Sequence, residues 1–163
     1  MRPWLIAAAL WLAASNGPVA AEGKPAGGDD AQNARFVSLR ASKANVRFGP
    51  GRRHPIAWVF VRRGLPVLIV GKFQTWRRIR DWEGSEGWIH QSLLSTKRSV
   101  IVLDGPAELY RKPGAEARLM ARVERRAVGR LIGCEGAWCA VEFAGRNGWI
   151  RKAAVWGVGP ADG

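Results

Sequence analysis

Residues that build catalytic and metal sites are scarce in this chain: two His, two Cys and 13 Asp+Glu stand against 26 Lys+Arg in 163 residues. Neither His54 nor His90 has a Ser, Cys or Asp beside it in a nucleophile arrangement. Two cysteines fall short of a metal-ligand cluster, and four residues between them is the wrong spacing for a CxxC redox pair. The stretch GPGRR at 49–53 lacks the Lys-Ser/Thr end of a phosphate-cradling loop. Asp81, Glu83 and Glu86 are the only carboxylates between residues 35 and 98. They adjoin Arg77, Arg78 and Arg80, which points to surface ion pairing rather than proton transfer. The expectation is a non-enzymatic protein with no cofactor and no metal.

Long apolar runs are also missing, with one exception at the start. Arg2 and the amino terminus give a positive end, Trp4 to Leu12 is apolar, and Val19-Ala20-Ala21 supplies the small-residue pattern of a cleavage site ahead of Glu22. A membrane span needs about 20 apolar residues, and Ser15, Asn16, Gly17 and Pro18 break this run well before that. Residues 1–21 therefore read as a cleaved signal peptide, leaving no transmembrane anchor and placing the mature chain in the periplasm or outside the cell. Residues 22–34 are rich in Gly, Ala and Asp without periodicity, the composition of a disordered lead-in.

The charge is unevenly spread. Residues 35–98 hold 14 Lys+Arg against 3 Asp+Glu, and residues 99–163 hold 10 against 7. A field of this size gathers anions and speeds their encounter but says nothing about fold. Two readings stay open: the charge recruits a ligand, or it only keeps an exported domain soluble.

The chain repeats itself. ANVRFGPG at 44–51 lies over AELYRKPG at 107–114, WRRI at 76–79 over WCAV at 138–141, and GWIH at 87–90 over GWIR at 148–151. Three blocks in one order, with single-residue slips between them, set a boundary near 95–99. They divide the chain into a first unit at 35–96, a second at 97–157 and a tail at 158–163. Within each unit, short runs of β-branched and aromatic residues alternate with tight turns, and no 3.6-residue period is sustained. The fold class expected is all-β, with five or so strands per unit forming a small barrel and one helical turn near Gln91–Leu94.

The order Asn-Val-Arg-x-Gly-Pro-Gly, then Trp-x-x-Ile, then Gly-Trp-Ile resembles the bacterial SH3 family. The strings from Trp58 to Val67 and from Trp76 to Ser95 resemble its exported tandem members. The resemblance covers 36–157 and implies two tandem SH3-like barrels used as binding modules of the cell envelope. It places Trp76 and Trp138 in a ligand groove, because the tryptophan three residues before a core aliphatic (Ile79, Val141) lines that groove in SH3 domains. It places His90 and Arg151, which follow Gly-Trp-Ile, in the same grooves. Peptide-binding members carry a proline there and a tyrosine three residues on. This chain has Leu93 and Ala154 at the latter positions, which argues against a polyproline ligand.

Strand alternation agrees with the groove assignment, since Trp76 and Ile79 must face opposite ways. A second reading has Trp76 and Trp138 packing between the barrels. Arg52, Arg53 and His54, in the loop after Gly-Pro-Gly, together with Arg78, are candidates for an anion site or simply a solvated charged loop. Trp58, Trp82, Trp88 and Trp149 read as structural, the last two as caps behind a turn glycine, and Trp156 as docking the tail. Cys134 and Cys139 flank a four-residue turn between two strands, where a disulfide fits and export favours it.

The function expected is envelope binding of an anionic or peptide ligand: a peptidoglycan component or an envelope protein. A nucleic-acid platform of Trp76, Arg78, Arg80 and Trp82 is the alternative, disfavoured by export; a purely structural assembly role is the third. N-terminal sequencing of exported material is expected to start at Glu22, and an intact Met1 on membrane-bound protein would overturn the signal reading.

Overall fold

The computed structural model describes residues 34–159 and 162. The signal segment, the lead-in up to residue 33 and residues 160, 161 and 163 of the tail lie outside the described residues. What is described is all-β, with two short 3-10 turns at Gln91–Leu93 and Lys152–Ala154. The first unit contains β1 (Arg35–Leu39), β2 (Ala44–Arg47), β3 (Ile56–Phe60), β4 (Pro66–Phe73), β5 (Trp76–Arg80), β6 (Glu86–His90) and β7 (Leu94–Ser95). The second contains β8 (Ser99–Val102), β9 (Ala107–Tyr110), β10 (Leu119–Val123), β11 (Val128–Glu135), β12 (Trp138–Phe143), β13 (Arg146–Arg151) and β14 (Val155–Trp156). Each set forms one seven-stranded antiparallel sheet, ordered β3-β2-β6-β5-β4-β1-β7 and β10-β9-β13-β12-β11-β8-β14.

The two orders are the same topology repeated, down to a bulge at matching places, between Ile69 and Gly71 in β4 and between Leu131 and Gly133 in β11. A bulge bends its strand and increases local twist, so both sheets curl. Neither ladder closes into the ring that a barrel implies; β3 and β7 remain edges of the first, β10 and β14 of the second. Side chains do the closing. Phe60 on one edge and Leu94 on the other share a single apolar cluster, as do Val123 and Val155 in the second unit.

Alternation fills these clusters. Ala44 and Val46 in β2, Ile79 in β5 and Ile89 in β6 are almost fully buried, while Asn45, Arg47, Trp76 and His90 lie at the opposite parity. Gly87 and Gly148 are not turn glycines, and Trp88 and Trp149 do not cap a turn. Both glycines sit inside strands where the next strand comes too close for a side chain. A Cβ would lie 2.5 Å from Val46 Cγ1 at Gly87 and 2.6 Å from Leu109 Cγ at Gly148. Trp88 and Trp149 are instead the register partners of Arg47 and Tyr110.

The units share more than a linker. All four residues of β8 are buried; Val100 and Val102 enter the second cluster, whereas Ile101, facing the other way, belongs to the first. Val128 and Trp156 also pack on the first cluster, and Trp156 meets Phe36 edge to face at 4.8 Å. So Trp156 docks on the other unit as well as closing its own. Gly157 follows with φ of +118°, and a Cβ there would sit 2.3 Å from Ser99 O and 3.2 Å from Pro66 Cβ. Polar contacts rim the seam: Arg126 pairs with Glu83 at 2.5 Å, and Arg62 donates to Arg126 O at 3.0 Å.

Cys134 and Cys139 are register partners in β11 and β12 and are joined in a disulfide. In the first unit Lys72 and Arg77 occupy the corresponding pair. That turn is not held by packing alone: Arg77 Nη1 donates to the carbonyls of Gln74 and Trp76 at 2.8 and 2.9 Å, and Nη2 to Gln91 Oε1 at 2.6 Å.

Because Ile101 belongs to the second sheet but to the first unit's core, Ile101→Ala is expected to cost about 2–5 kcal/mol and to uncouple the units. Calorimetry should show one transition for the parent chain and two for the variant. Two transitions in the parent would show that the seam does not couple them.

Candidate functional site

The outward parity of β2, β5 and β6 builds one groove on the first unit. Asn45 and Arg47 come from β2, Trp76 from β5 and His90 from β6; Ser92 and Leu93 from the following 3-10 turn and Arg52 from the long loop complete a hollow of about 360 Å³. Trp76 and His90 are register partners, their rings 5.5 Å apart and nearly perpendicular. The His90 Nδ1 accepts from the Ser92 backbone N–H at 3.3 Å and lies 2.7 Å from Ser92 Oγ. This capping role reserves Nδ1 as an acceptor, so a neutral ring carries its proton on Nε2. Arg47 Nη1 donates to His54 O at 2.6 Å, tying the loop to the groove floor; a guanidinium keeps further N–H groups for a ligand.

The other predicted site residues separate. His54 folds back over Gly49, where a Cβ would lie 2.5 Å from its ring, and so supports the loop. Arg53 is exposed and does not line the groove. Arg78 points at Glu86, 2.7 Å away, and Arg80 pairs with the same carboxylate at 2.6 Å. Asp81 is buried and takes no part in ion pairing with its arginine neighbours; its Oδ1 accepts from the backbone N–H groups of Glu83 and Ser85 at 3.0 and 2.9 Å. Trp82 packs against the core and Phe60, so the row Trp76, Arg78, Arg80, Trp82 does not form a stacking platform.

The second unit repeats the groove with different chemistry. Glu108 stands where Asn45 does, Tyr110 where Arg47 does, Arg151 where His90 does, and Ala153 and Ala154 where Ser92 and Leu93 do, in a hollow of about 600 Å³ that also takes in Asp104 and Arg122. The Arg151 guanidinium lies over the Trp138 ring at 5.0 Å, and Tyr110 meets that ring edge-on at 5.4 Å. Trp138 and Arg151 are therefore committed to each other. Tyr110 donates a short hydrogen bond to Glu108, whose carboxylate is also 3.7 Å from Arg122. Neither groove tryptophan packs between the units; that place belongs to Ile101, Val128 and Trp156.

Arg47, Asn45 and Ser92 were not singled out from the sequence as ligand residues. The alternation of Ala44-Asn45-Val46-Arg47 carried the signal, since two core residues at one parity put the other two outside. Among the described residues no group of three or more His, Cys, Asp or Glu could hold a metal ion, and no helix is long and apolar enough to cross a membrane.

The family model described as "Bacterial SH3 domain" matches residues 40–96 and again 104–157. The chain belongs to this family, as a tandem member. Comparison with curated proteins finds no match. Among solved structures it is similar to NlpC2 from Trichomonas vaginalis, at 14% identity and a TM-score of 0.36 over 77% of this chain and 48% of that one. It is similar also to NlpC1 from the same organism, at 12% identity and a TM-score of 0.36 over 75% and 45%. An NlpC/P60 family protein from Bacillus cereus shows 15% identity and a TM-score of 0.34 over 74% and 55%. The chain thus spans about half the length of these structures.

The lone tyrosine of the chain reports on the second groove. Its hydrogen bond to Glu108 holds the Tyr110 hydroxyl above the ordinary tyrosine value; burial and the Glu108 charge act in the same sense, and Arg151 and Arg122 oppose them. Glu108→Gln should therefore bring the phenolate transition, followed by near-ultraviolet absorbance, down in pH. An unmoved transition would mean that Glu108 does not hold the hydroxyl.

Proposed function

We propose that this tandem bacterial SH3 chain is a non-enzymatic binding module of the cell envelope, exported from the cytoplasm, that grips a carboxylate-bearing cell-wall peptide in the groove of its first unit. The observation that carries this reading is the contrast between the two grooves. The first brings Trp76, His90, Arg47 and Arg52 together with no carboxylate among its lining residues. The second carries Glu108 and Asp104 in its own lining and ties up its aromatic and its arginine. An anion entering the first groove meets guanidinium donors suited to bidentate contact and an indole on which the peptide body can lie. An anion entering the second meets like charge.

The surrounding field supports the same direction. With 14 Lys+Arg against 3 Asp+Glu in 35–98, the first unit draws polyanionic material from a distance, an effect that salt shortens to about 8 Å at physiological ionic strength. Glu86 engages both Arg78 and Arg80, and Trp82 packs on the core, which leaves nucleic acid no continuous row to stack against and favours the envelope reading over that alternative.

The test uses the mature chain and isolated peptidoglycan. Retention should fall as salt rises, and Trp76→Ala should weaken it about tenfold or more while leaving thermal stability close to the parent's. Ile79→Ala, at the inward parity of the same strand, should cost about 2–5 kcal/mol of stability. Should Trp76→Ala unfold the unit as badly as Ile79→Ala, or leave retention unchanged, the groove is not the binding site. Release of soluble fragments from the peptidoglycan would overturn the non-enzymatic reading.

A further inference from the structure

A cleft of about 490 Å³ opens between the two units, away from both grooves. Its first wall comes from the end of β1 and the turn before β4; its second comes from the linker and the starts of β8 and β11. We propose that it is a second ligand site, built jointly by the two units, for a phosphate group carried on a small polar body.

Charge is the first observation. Five basic residues line the cleft and no carboxylate does. Two of the five are engaged: Arg130 pairs with Glu142, and Arg98 with Asp162 at 2.7 Å. Arg40, Arg63 and Lys97 are exposed, and none of their side chains has an ion-pair partner among the described residues. Three unengaged cations around one hollow repel each other, an arrangement that an anion relieves.

The second observation is independent of charge. Ser99 is 93% buried in β8, at the parity of Ile101 that faces the first unit, and its hydroxyl has no hydrogen-bond partner among the described residues. Arg98 Nε is buried and unpartnered too. Buried polar groups are nearly always satisfied, and leaving one bare is costly. Here two adjacent residues both line the same cationic cleft, with a hydroxyl and a guanidinium N–H to offer an acceptor.

The chemistry of the donors selects the ligand. Two guanidinium groups, an ammonium, a hydroxyl and a buried N–H come from separate segments. They suit a tetrahedral phosphate, with oxygens facing several directions, better than a flat carboxylate. The space is far larger than bare phosphate needs, at roughly 30 Å³ per water displaced, and Leu39 and Val128 give it apolar walls. A phosphate ester with a glycerol-sized or sugar-sized body fits that description. Such an ester comes either free, including along a soluble polymer, or as a lipid headgroup.

The experiment takes the full mature chain and measures thermal stabilisation and calorimetric binding with glycerol phosphate and inorganic phosphate, against chloride at matched ionic strength. Flotation with phosphatidylglycerol vesicles, against phosphatidylcholine vesicles, forms the second arm. A ligand that binds only the folded chain raises its melting temperature in proportion to occupancy. Glycerol phosphate should stabilise beyond chloride. Arg63→Gln and Lys97→Gln, both at exposed positions, should each weaken that binding about tenfold, the scale of one lost charged hydrogen bond. Ser99→Ala should weaken it as well while leaving the ligand-free melting point unchanged or higher, because it deletes an unsatisfied hydroxyl; a merely structural serine would show the opposite. Trp76→Ala should bind phosphate normally, which separates this site from the groove. Binding of the soluble ester assigns a free or polymer-borne source, and binding only of anionic vesicles, still lost in Arg63→Gln, assigns a lipid headgroup. Stabilisation equalled by chloride, or binding indifferent to all three cleft variants, overturns the site.

Discussion

One strand buried on both faces holds this protein together. β8 sends Val100 and Val102 into its own unit and Ile101 into the neighbouring one, so neither apolar cluster is complete without the linker region being in place. Units of about 60 residues bury a modest share of their surface and sit near the limit of independent folding. Sharing a strand enlarges the effective core of the first unit at no cost in chain length. Trp156 adds to it from the far end of the chain, and Gly157 makes the approach possible because any side chain there would strike Ser99 O.

Most of the architecture was legible in the sequence because it rests on periodicity and repetition. Block matches at nearly constant offset gave two like units, and alternation around Ile79 and Val141 gave the parity of Trp76 and Trp138. Strand pairing also brought Cys134 and Cys139 together. What the sequence hid were relations between segments distant along the chain. Ser-Val-Ile-Val reads as an ordinary buried strand, and nothing local says that its third residue serves the other unit. Gly87 looked like a turn because glycine usually marks one; the real cause, the approach of Val46, is a tertiary contact. The way each ladder curls on itself has the same origin, since Phe60 and Leu94, from its two edge strands, share one apolar cluster.

The candidate site was half legible. Trp76, His90 and Arg52 were expected together and are together. Arg78, Arg53 and His54 were expected with them and do not line the groove, each for a local reason. Glu86 is the register partner of Arg80 and lies within reach of Arg78 too, a pairing that sequence adjacency of charges does not resolve. Arg53 follows Arg52 by one residue, and in a loop whose course is set by His54 folding over Gly49, neighbours point apart. Arg47 is legible only through alternation: Ala44 and Val46 are buried at one parity, which leaves Asn45 and Arg47 facing out.

The two units repeat one topology and differ in the chemistry of their grooves. Positions 45, 47, 90 and 92 have counterparts at 108, 110, 151 and 153, and the strand order and the bulges in β4 and β11 repeat as well. The substitutions are coupled in each unit: with Arg151 in place of His90, the cation covers Trp138, and with Glu108 in place of Asn45, a carboxylate engages Tyr110 and Arg122. A groove whose aromatic and charges satisfy each other gains stability and loses its appetite for a ligand. The second unit carries the disulfide, and the first has Lys72 and Arg77 at that pair. Two copies of one fold thus carry different groove chemistry, and the seam at Ile101 keeps them together.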